Sequence, residues 1–162
     1  HGSSDTTSDD KIETELPSIE PEHPFFISVS EEIVFDDTDA TKNKDISVSL
    51  KALRRKNMNK LILGHLNINS LRNKFDILQE QVKDNIDILM VSETKLDESF
   101  PIGQFLISGF STPFRLDRNS NGGGILMYIR EDIPSKLLSI ENAPIEGFFI
   151  EINLRNKKKM VN

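Results

Sequence analysis

The chemistry-bearing residues of this sequence stand at the ends of two apolar runs. Residues 61–66 are apolar and lead into Asn67 and Asn69; residues 86–91 are apolar and lead into Ser92-Glu93-Thr94. An amide carries both a donor and an acceptor, so Asn67 can orient a carboxylate, a water or a phosphate oxygen without adding charge. A carboxylate such as Glu93 at the end of an apolar strand is costly to bury alone. A divalent cation offsets that cost, and Mg²⁺ commonly takes one or two protein carboxylates together with water and substrate oxygens. Brought together, the amide and the carboxylate would hold a hard cation and a phosphate. Each residue also has a plainer role. Asn favours strand-to-helix turns, an argument stronger for Asn69 than for Asn67, and Glu93 is also placed to pair with Lys95 at a strand end.

The elements that must position these residues are legible from periodicity. Leu71, Phe75, Leu78 and Val82 fall at i, i+4, i+7 and i+11, the stripe of an amphipathic helix between the two runs. Two strands joined by such a helix form a crossover unit with neighbouring, parallel strands. Asn67 and Glu93 then emerge at the same sheet edge, at the carboxyl ends of their strands, where open α/β sheets build ligand sites. Residues 61–66 show little alternation, which predicts a central strand covered on both faces. Ser70 is placed to cap the helix. His65 shares the parity of Asn67 and Asn69, but a lone His on such a strand is more often a core residue than a base, and no catalytic role is assigned to it.

Further along, residues 97–109 read as a loop containing Pro101 and Gly103, with a short strand at 105–110. Residues 113–121 (PFRLDRNSN) are polar and carry Arg115 and Arg118. Gly122-Gly123-Gly124 leads into an apolar strand at 125–130. No G-K-[ST] follows and a strand comes next, so this is not a Walker loop; the glycines suit a sharp turn and close backbone packing. Residues 136–140 and 148–154 complete a β-rich second half. Phe148, Ile150, Ile152 and Leu154 alternate with Phe149, Glu151 and Asn153, as in a half-buried strand.

The run Leu66-Asn67-Ile68-Asn69-Ser70-Leu71-Arg72, followed by Ser92-Glu93-Thr94-Lys95-Leu96 and the glycine-rich strand entry, resembles the endonuclease/exonuclease/phosphatase superfamily. The branch it is most similar to is the apurinic/apyrimidinic-type endonuclease that non-LTR retrotransposon proteins carry upstream of their reverse transcriptase. The resemblance covers roughly residues 59–156. It implies an α/β fold, the first half of a four-layer α/β/β/α sandwich. It further implies Asn67 in the active site, Glu93 as catalytic residue and ligand of Mg²⁺ (or Mn²⁺), and Asn69, Arg72 and Lys95 along the substrate. DNA is the implied substrate, nicked by phosphodiester hydrolysis, within a larger polyprotein bearing a reverse transcriptase. Complete members also carry a strand ending in G-D-[FL]-N and a final S-D-H. Neither motif occurs here, and His1, His23 and His65 do not follow S-D. The expectation is therefore a truncated domain, inactive as it stands. Two alternatives remain: a phosphatase of the same superfamily acting on inositol phosphates or sphingolipids, and a non-catalytic interaction module.

Composition bounds these readings. The 162 residues suffice for one ordinary domain and contain no cysteine, which excludes disulfides and thiolate metal sites. No apolar run approaches membrane-spanning length, and no secretory signal opens the chain. The first residue is His1 rather than Met, which suggests a fragment or a processed chain. The net charge of −6 hides a segregation: residues 1–50 hold 3 Lys/Arg against 13 Asp/Glu, and residues 51–162 hold 17 against 13. This divides the chain into an acidic tail with a basic linker at 1–57 and a domain at 58–162. Residues 1–24 are rich in Ser, Thr, Asp and Glu with three prolines, and disorder is expected for residues 1 to about 50, with the ordered body starting near Asn59. Within the tail, residues 25–35 (FFISVSEEIVF) read as a short strand, a partner-binding motif or a linker. Residues 51–60 (KALRRKNMNK) carry five positive charges. Such a cluster sits on nucleic-acid phosphates, serves as a nuclear localisation signal, or is a solvated linker that balances the tail.

Overall fold

The structure, a computed structural model, describes residues 26–31, 40–139 and 147–153, with side chains from residue 44 onward except 45. The chain is mixed α/β. A five-stranded sheet has the order β1-β2-β3-β5-β4, from β1 (Phe26–Glu31), β2 (Leu61–Asn67), β3 (Ile88–Ser92), β4 (Phe114–Leu116) and β5 (Ile125–Ile129). Strands β1, β2 and β3 are mutually parallel, whereas β5 runs antiparallel to both β3 and β4. Two further strands, β6 (Ser135–Leu138) and β7 (Phe149–Ile152), form a separate antiparallel pair. The two helices are α1 (Ala40–Lys56) and α2 (Phe75–Val82). Among the described residues no helix is long and apolar enough to cross a membrane.

Alternation along the strands divides the sheet into two apolar faces. Ile62, Leu66, Leu89, Val91, Leu126 and Tyr128 lie in one cluster with Leu71, Phe75, Leu78 and Val82 from the α2 region. Ile46, Leu50 and Leu53 of α1 pack on the same cluster. Leu61, Ile88 and Ile129 form the opposite cluster with Ile133, and Ile150 and Ile152 of β7 pack against it. One face of the sheet is thus covered by helices and the other by the β6–β7 pair, which explains why β2 and β3 read as continuous apolar runs.

Several expectations need correction. Order begins well before Asn59: β1 pairs in register with β2 from Phe26↔Leu61 to Glu31↔Leu66, and α1 occupies much of the assigned tail and linker. Ile46, Leu50 and Leu53 recur at helical spacing and supply the apolar stripe; its surroundings of Lys, Asp, Ser and Asn mask it in the average composition. The tail at 1–25 lies outside the described residues, as do residues 32–39 and Leu154. Ser70 does not cap the helix. The first turn starts at Phe75 with Lys74 at the cap position, and Ser70 has φ of 85° and donates its backbone N–H to the Glu93 carbonyl at 2.8 Å. Residues 105–110 are not a strand. A 3-10 turn spans Ile102–Phe105, and Phe105 and Ile107 are buried as loop anchors. The Phe105 carbonyl accepts the buried Tyr128 hydroxyl at 2.8 Å, and the segment's ladder contact is a single bridge, Phe110↔Arg130.

The end of the sheet where β2 and β3 begin is pinned by a buried carboxylate. Asp87, fully buried, accepts from Arg54 Nη2 of α1 at 2.7 Å, from the Ile62 N–H at 2.7 Å and from Arg130 Nη1 at 3.2 Å. A buried carboxylate is tolerable only with such partners. The cluster joins the helix layer to three strands.

Candidate functional site

The opposite end of the same strands carries the polar residues. Asn67, last in β2, pairs with Ser92, last in β3, so Glu93 follows immediately beside it. Both residues leave the sheet at the carboxyl ends of parallel neighbours, as the crossover reading requires. Beyond the strand ends three stretches of backbone continue to bond. Ile68 N–H donates to the Ser92 carbonyl at 3.0 Å and Leu71 N–H to Thr94 at 3.0 Å. On the other side, Thr94 N–H donates to the Gly124 carbonyl at 3.3 Å and Lys95 N–H to Gly123 at 3.0 Å. The segment 93–95 is therefore held between 68–71 and 122–124.

This network forces unusual backbone. Asn69, Ser70, Glu93, Lys95, Gly123 and Gly124 all have positive φ; among the described residues only Asp84 and Gly109 share that property elsewhere. A side-chain-bearing residue in this region costs on the order of 1–3 kcal/mol and persists only where its surroundings fix it. At Gly124 the need for glycine is steric as well: a Cβ there would lie 2.3 Å from Thr94 Oγ1. At Gly123 it would lie 2.6 Å from Arg118 Cδ. The glycine run thus performs the close packing and sharp turn read from sequence.

Glu93 is half-buried, and its Oε2 accepts the Gly123 N–H at 2.9 Å. It does not take Lys95 as its partner. Lys95 Nζ instead donates to Asn69 Oδ1 at 2.6 Å. The Asn69 N–H donates to Asn67 Oδ1 at 3.2 Å, an Asx turn that fixes the Asn67 amide. Lys74 Nζ braces the same turn by donating to the carbonyls of Ile68 at 2.8 Å and Asn69 at 3.0 Å. Arg72 is exposed, with its guanidinium 5.1 Å from the centre of the Phe100 ring. Asn67, Asn69, Lys95 and Glu93 are therefore gathered at one edge, with Arg72 on the adjoining turn. His65 lies two register pairs before Asn67, its Nε2 3.2 Å from Ser92 Oγ.

An open cleft of about 190 Å³ adjoins Glu93 and is lined also by Ser92, Leu116, Arg118, Gly123, Gly124 and Ile125. Arg118 is the lining residue to which the sequence suggested no role. Its only signal was its place ahead of the glycines. Arg115, three residues earlier, is consumed by the fold. It chelates Asp117 through Nε and Nη2, both at 2.8 Å, and donates to the carbonyls of Phe100 and Asp97, both at 2.6 Å. Nearby, Asp97 accepts from the Ser99 hydroxyl and, at 2.9 Å, from the Ser99 N–H. Those bonds, with smaller help from Arg72 and Arg115, hold its carboxyl below the ordinary range.

The basic cluster of residues 51–60 is far from this edge in the topology. Arg54 binds the Lys60 carbonyl and Asp87 where β2 and β3 begin, while Lys51, Arg55 and Lys56 are exposed on the end of α1.

The donor set fits a divalent cation in a limited way. Among the described residues there is no group of three His, Cys, Asp or Glu arranged for a metal. Glu93 supplies one carboxylate, anchored through Oε2, its second oxygen accepting no hydrogen bond among the described residues, and Asn67, whose amide oxygen accepts the Asn69 N–H, ends the neighbouring strand without lining the cleft. One carboxylate is within the usual range for Mg²⁺, which keeps several waters and takes its remaining ligands from substrate phosphates. No protein-family model matches this chain, and comparison with curated proteins finds no significant match.

Proposed function

We propose that this chain carries the Asn–Glu half of a metal-assisted phosphodiester-hydrolase site, that of a DNA endonuclease of the endonuclease/exonuclease/phosphatase type. In this reading the domain belongs to the four-layer α/β/β/α sandwich class and to a retrotransposon-type protein that also bears a reverse transcriptase. The observation that carries the reading is the register Asn67↔Ser92, which sets Glu93 beside Asn67 at the carboxyl ends of two parallel strands and against an open cleft.

Glu93, with Oε2 anchored by the Gly123 N–H, is the residue to hold Mg²⁺ or Mn²⁺ at the cleft. Bound there, the ion would neutralise phosphate charge and stabilise the leaving oxygen. The Asn67 side chain, whose Oδ1 accepts the Asn69 N–H, keeps its NH₂ to donate to a phosphate oxygen. Lys95 and Asn69 brace each other and present a polar rim for the nucleic-acid backbone. His65 lies close to Ser92 and below the rim, which suits a supporting role better than proton transfer to substrate. The sequence contains neither G-D-[FL]-N nor S-D-H, the motifs that would supply the general base and its partner, so no efficient nicking is expected of this chain on its own.

The test is nicking of supercoiled plasmid with Mg²⁺. It compares this chain, a form extended to include the two missing motifs, and each with Glu93→Ala. General acid–base help is worth roughly 10²–10⁴-fold, so the extended form should nick faster by about that factor. Glu93→Ala should abolish its Mg²⁺-dependent rate. An extended form that nicks equally well without Glu93 removes the basis of the proposal.

A further inference from the structure

Three arginines stand near the cleft end of the sheet, and two are already committed. Arg115 spends four of its five donors on Asp117 and two carbonyls, and Arg72 stands outside the cleft lining with its guanidinium 5.1 Å from the centre of the Phe100 ring. Arg118 is exposed at the cleft and has no hydrogen bond or ion pair among the described residues. It is nevertheless placed by packing. Its stem lies against Gly123, close enough that a Cβ there would stand 2.6 Å from Arg118 Cδ and 3.0 Å from Arg118 Cβ. The N–H of the same glycine holds Glu93 Oε2 at 2.9 Å. One glycine therefore seats a cationic and an anionic side chain on a shared cleft, and the two do not neutralise each other through an ion pair.

That arrangement suits a ligand that presents both signs, a phosphoryl group accompanied by its cation. We propose that Arg118 is the phosphate-binding arm of the cleft, donating to a non-bridging phosphoryl oxygen on the side away from Glu93. The assignment rests on the phosphodiester reading for its substrate, but the guanidinium's affinity for a phosphoryl group does not require it. A planar guanidinium offers paired donors that match two phosphoryl oxygens, which an ammonium cannot reproduce.

Two measurements on this chain test the assignment. In the first, ¹⁵N-labelled protein is titrated with inorganic phosphate in the absence of metal, reading the amide shifts of Gly123 and Gly124. Arg118→Ala should remove the response, Arg118→Lys should retain it at roughly tenfold lower affinity, and unchanged shifts elsewhere show that both variants fold. In the second, a short DNA duplex is titrated with Mg²⁺ present over a range of salt. Arg118→Ala should weaken binding about tenfold and lower the slope of log K against log salt by about one. If Arg118→Ala binds both ligands as the unsubstituted chain does, the assignment is wrong. Phosphate captured through Arg118 without any DNA binding keeps the assignment and sinks the endonuclease reading. Glu93-dependent nicking by the extended form with Arg118→Ala neutral in both titrations does the reverse.

Discussion

Gly124 and Thr94 show how a single missing side chain sets the geometry of the cleft. Thr94 is fully buried with its hydroxyl unpartnered, pressed beneath the glycine. Gly124→Ala meets both a positive φ of 92° and that hydroxyl, so it should cost more than the roughly 1–3 kcal/mol of backbone strain alone. Gly123→Ala should cost less, because the obstructing Arg118 stem is exposed and can move; urea denaturation of the two variants compares them directly. Asp97 provides a pH readout. Its carboxyl is held below the ordinary range, chiefly by the Ser99 hydroxyl, so its contribution to stability is complete above the unfolded pKa near 3.8 and is lost as pH falls through the lower folded value. The Asp97 carboxyl should titrate by NMR below 3.8, and Ser99→Ala should raise that midpoint. The meeting of Asn67 and Glu93 at one sheet edge was legible because it needs only a crossover between parallel neighbours. The left-handed backbone at Glu93 and Lys95 was not, because neither is a residue type that announces it.

Among the elements, α1 departs most from what composition suggests. It is attached to the sheet by the modest stripe Ile46, Leu50 and Leu53 and by Arg54, which reaches the buried Asp87. Asp87→Ala takes the carboxylate from Arg54 Nη2, Arg130 Nη1 and the Ile62 N–H together, and removing one partner of a buried ion pair costs about 3–5 kcal/mol. Arg54→Ala should cost less, since Asp87 keeps Arg130 and the Ile62 N–H. It should nevertheless speed amide exchange in α1 more than in α2, as read by hydrogen-exchange mass spectrometry. The sequence hid this anchor because Asp87 stands close to the polar turn residues Asp84 and Asn85 and Arg54 stands in a run of basic residues. Neither residue signals a partner more than thirty positions away. The failed strand at 105–110 has a related cause: Phe105 and Ile107 alternate as a strand would, but the burial they obtain comes from the helix-side core rather than from a ladder.

On the scale of the whole molecule, the exposed basic residues of α1 and the cleft beside Glu93 lie at opposite ends of the sheet. Lys51, Arg55 and Lys56 lie beyond the start of β2, whereas Glu93 and Arg118 lie beyond the end of β3. Neutralising the three α1 residues to Gln should therefore leave Glu93-dependent nicking by the extended form within about twofold, the scale of an ordinary surface substitution. A much larger loss would mean that DNA spans both ends. The α/β alternation, the parallel β2–β3 pair and the β-rich second half were legible as patterns of period. The joining of β1 to the sheet was left open by the sequence, because FFISVSEEIVF is equally consistent with a linker until a parallel neighbour is supplied by β2.

The left-handed backbone at Glu93 also bears on how such a chain would drift. Glu93→Ala and Glu93→Gly both delete the carboxylate and its bond to the Gly123 N–H, yet only glycine is at ease at a φ of 56°. The glycine variant should exceed the alanine variant in stability by about 1 kcal/mol despite its floppier unfolded chain, which differential denaturation would measure. Folding and chemistry thus pull this position in opposite directions. Under the proposed function, glycine at 93 is the replacement that folding would tolerate best wherever the carboxylate ceases to be needed.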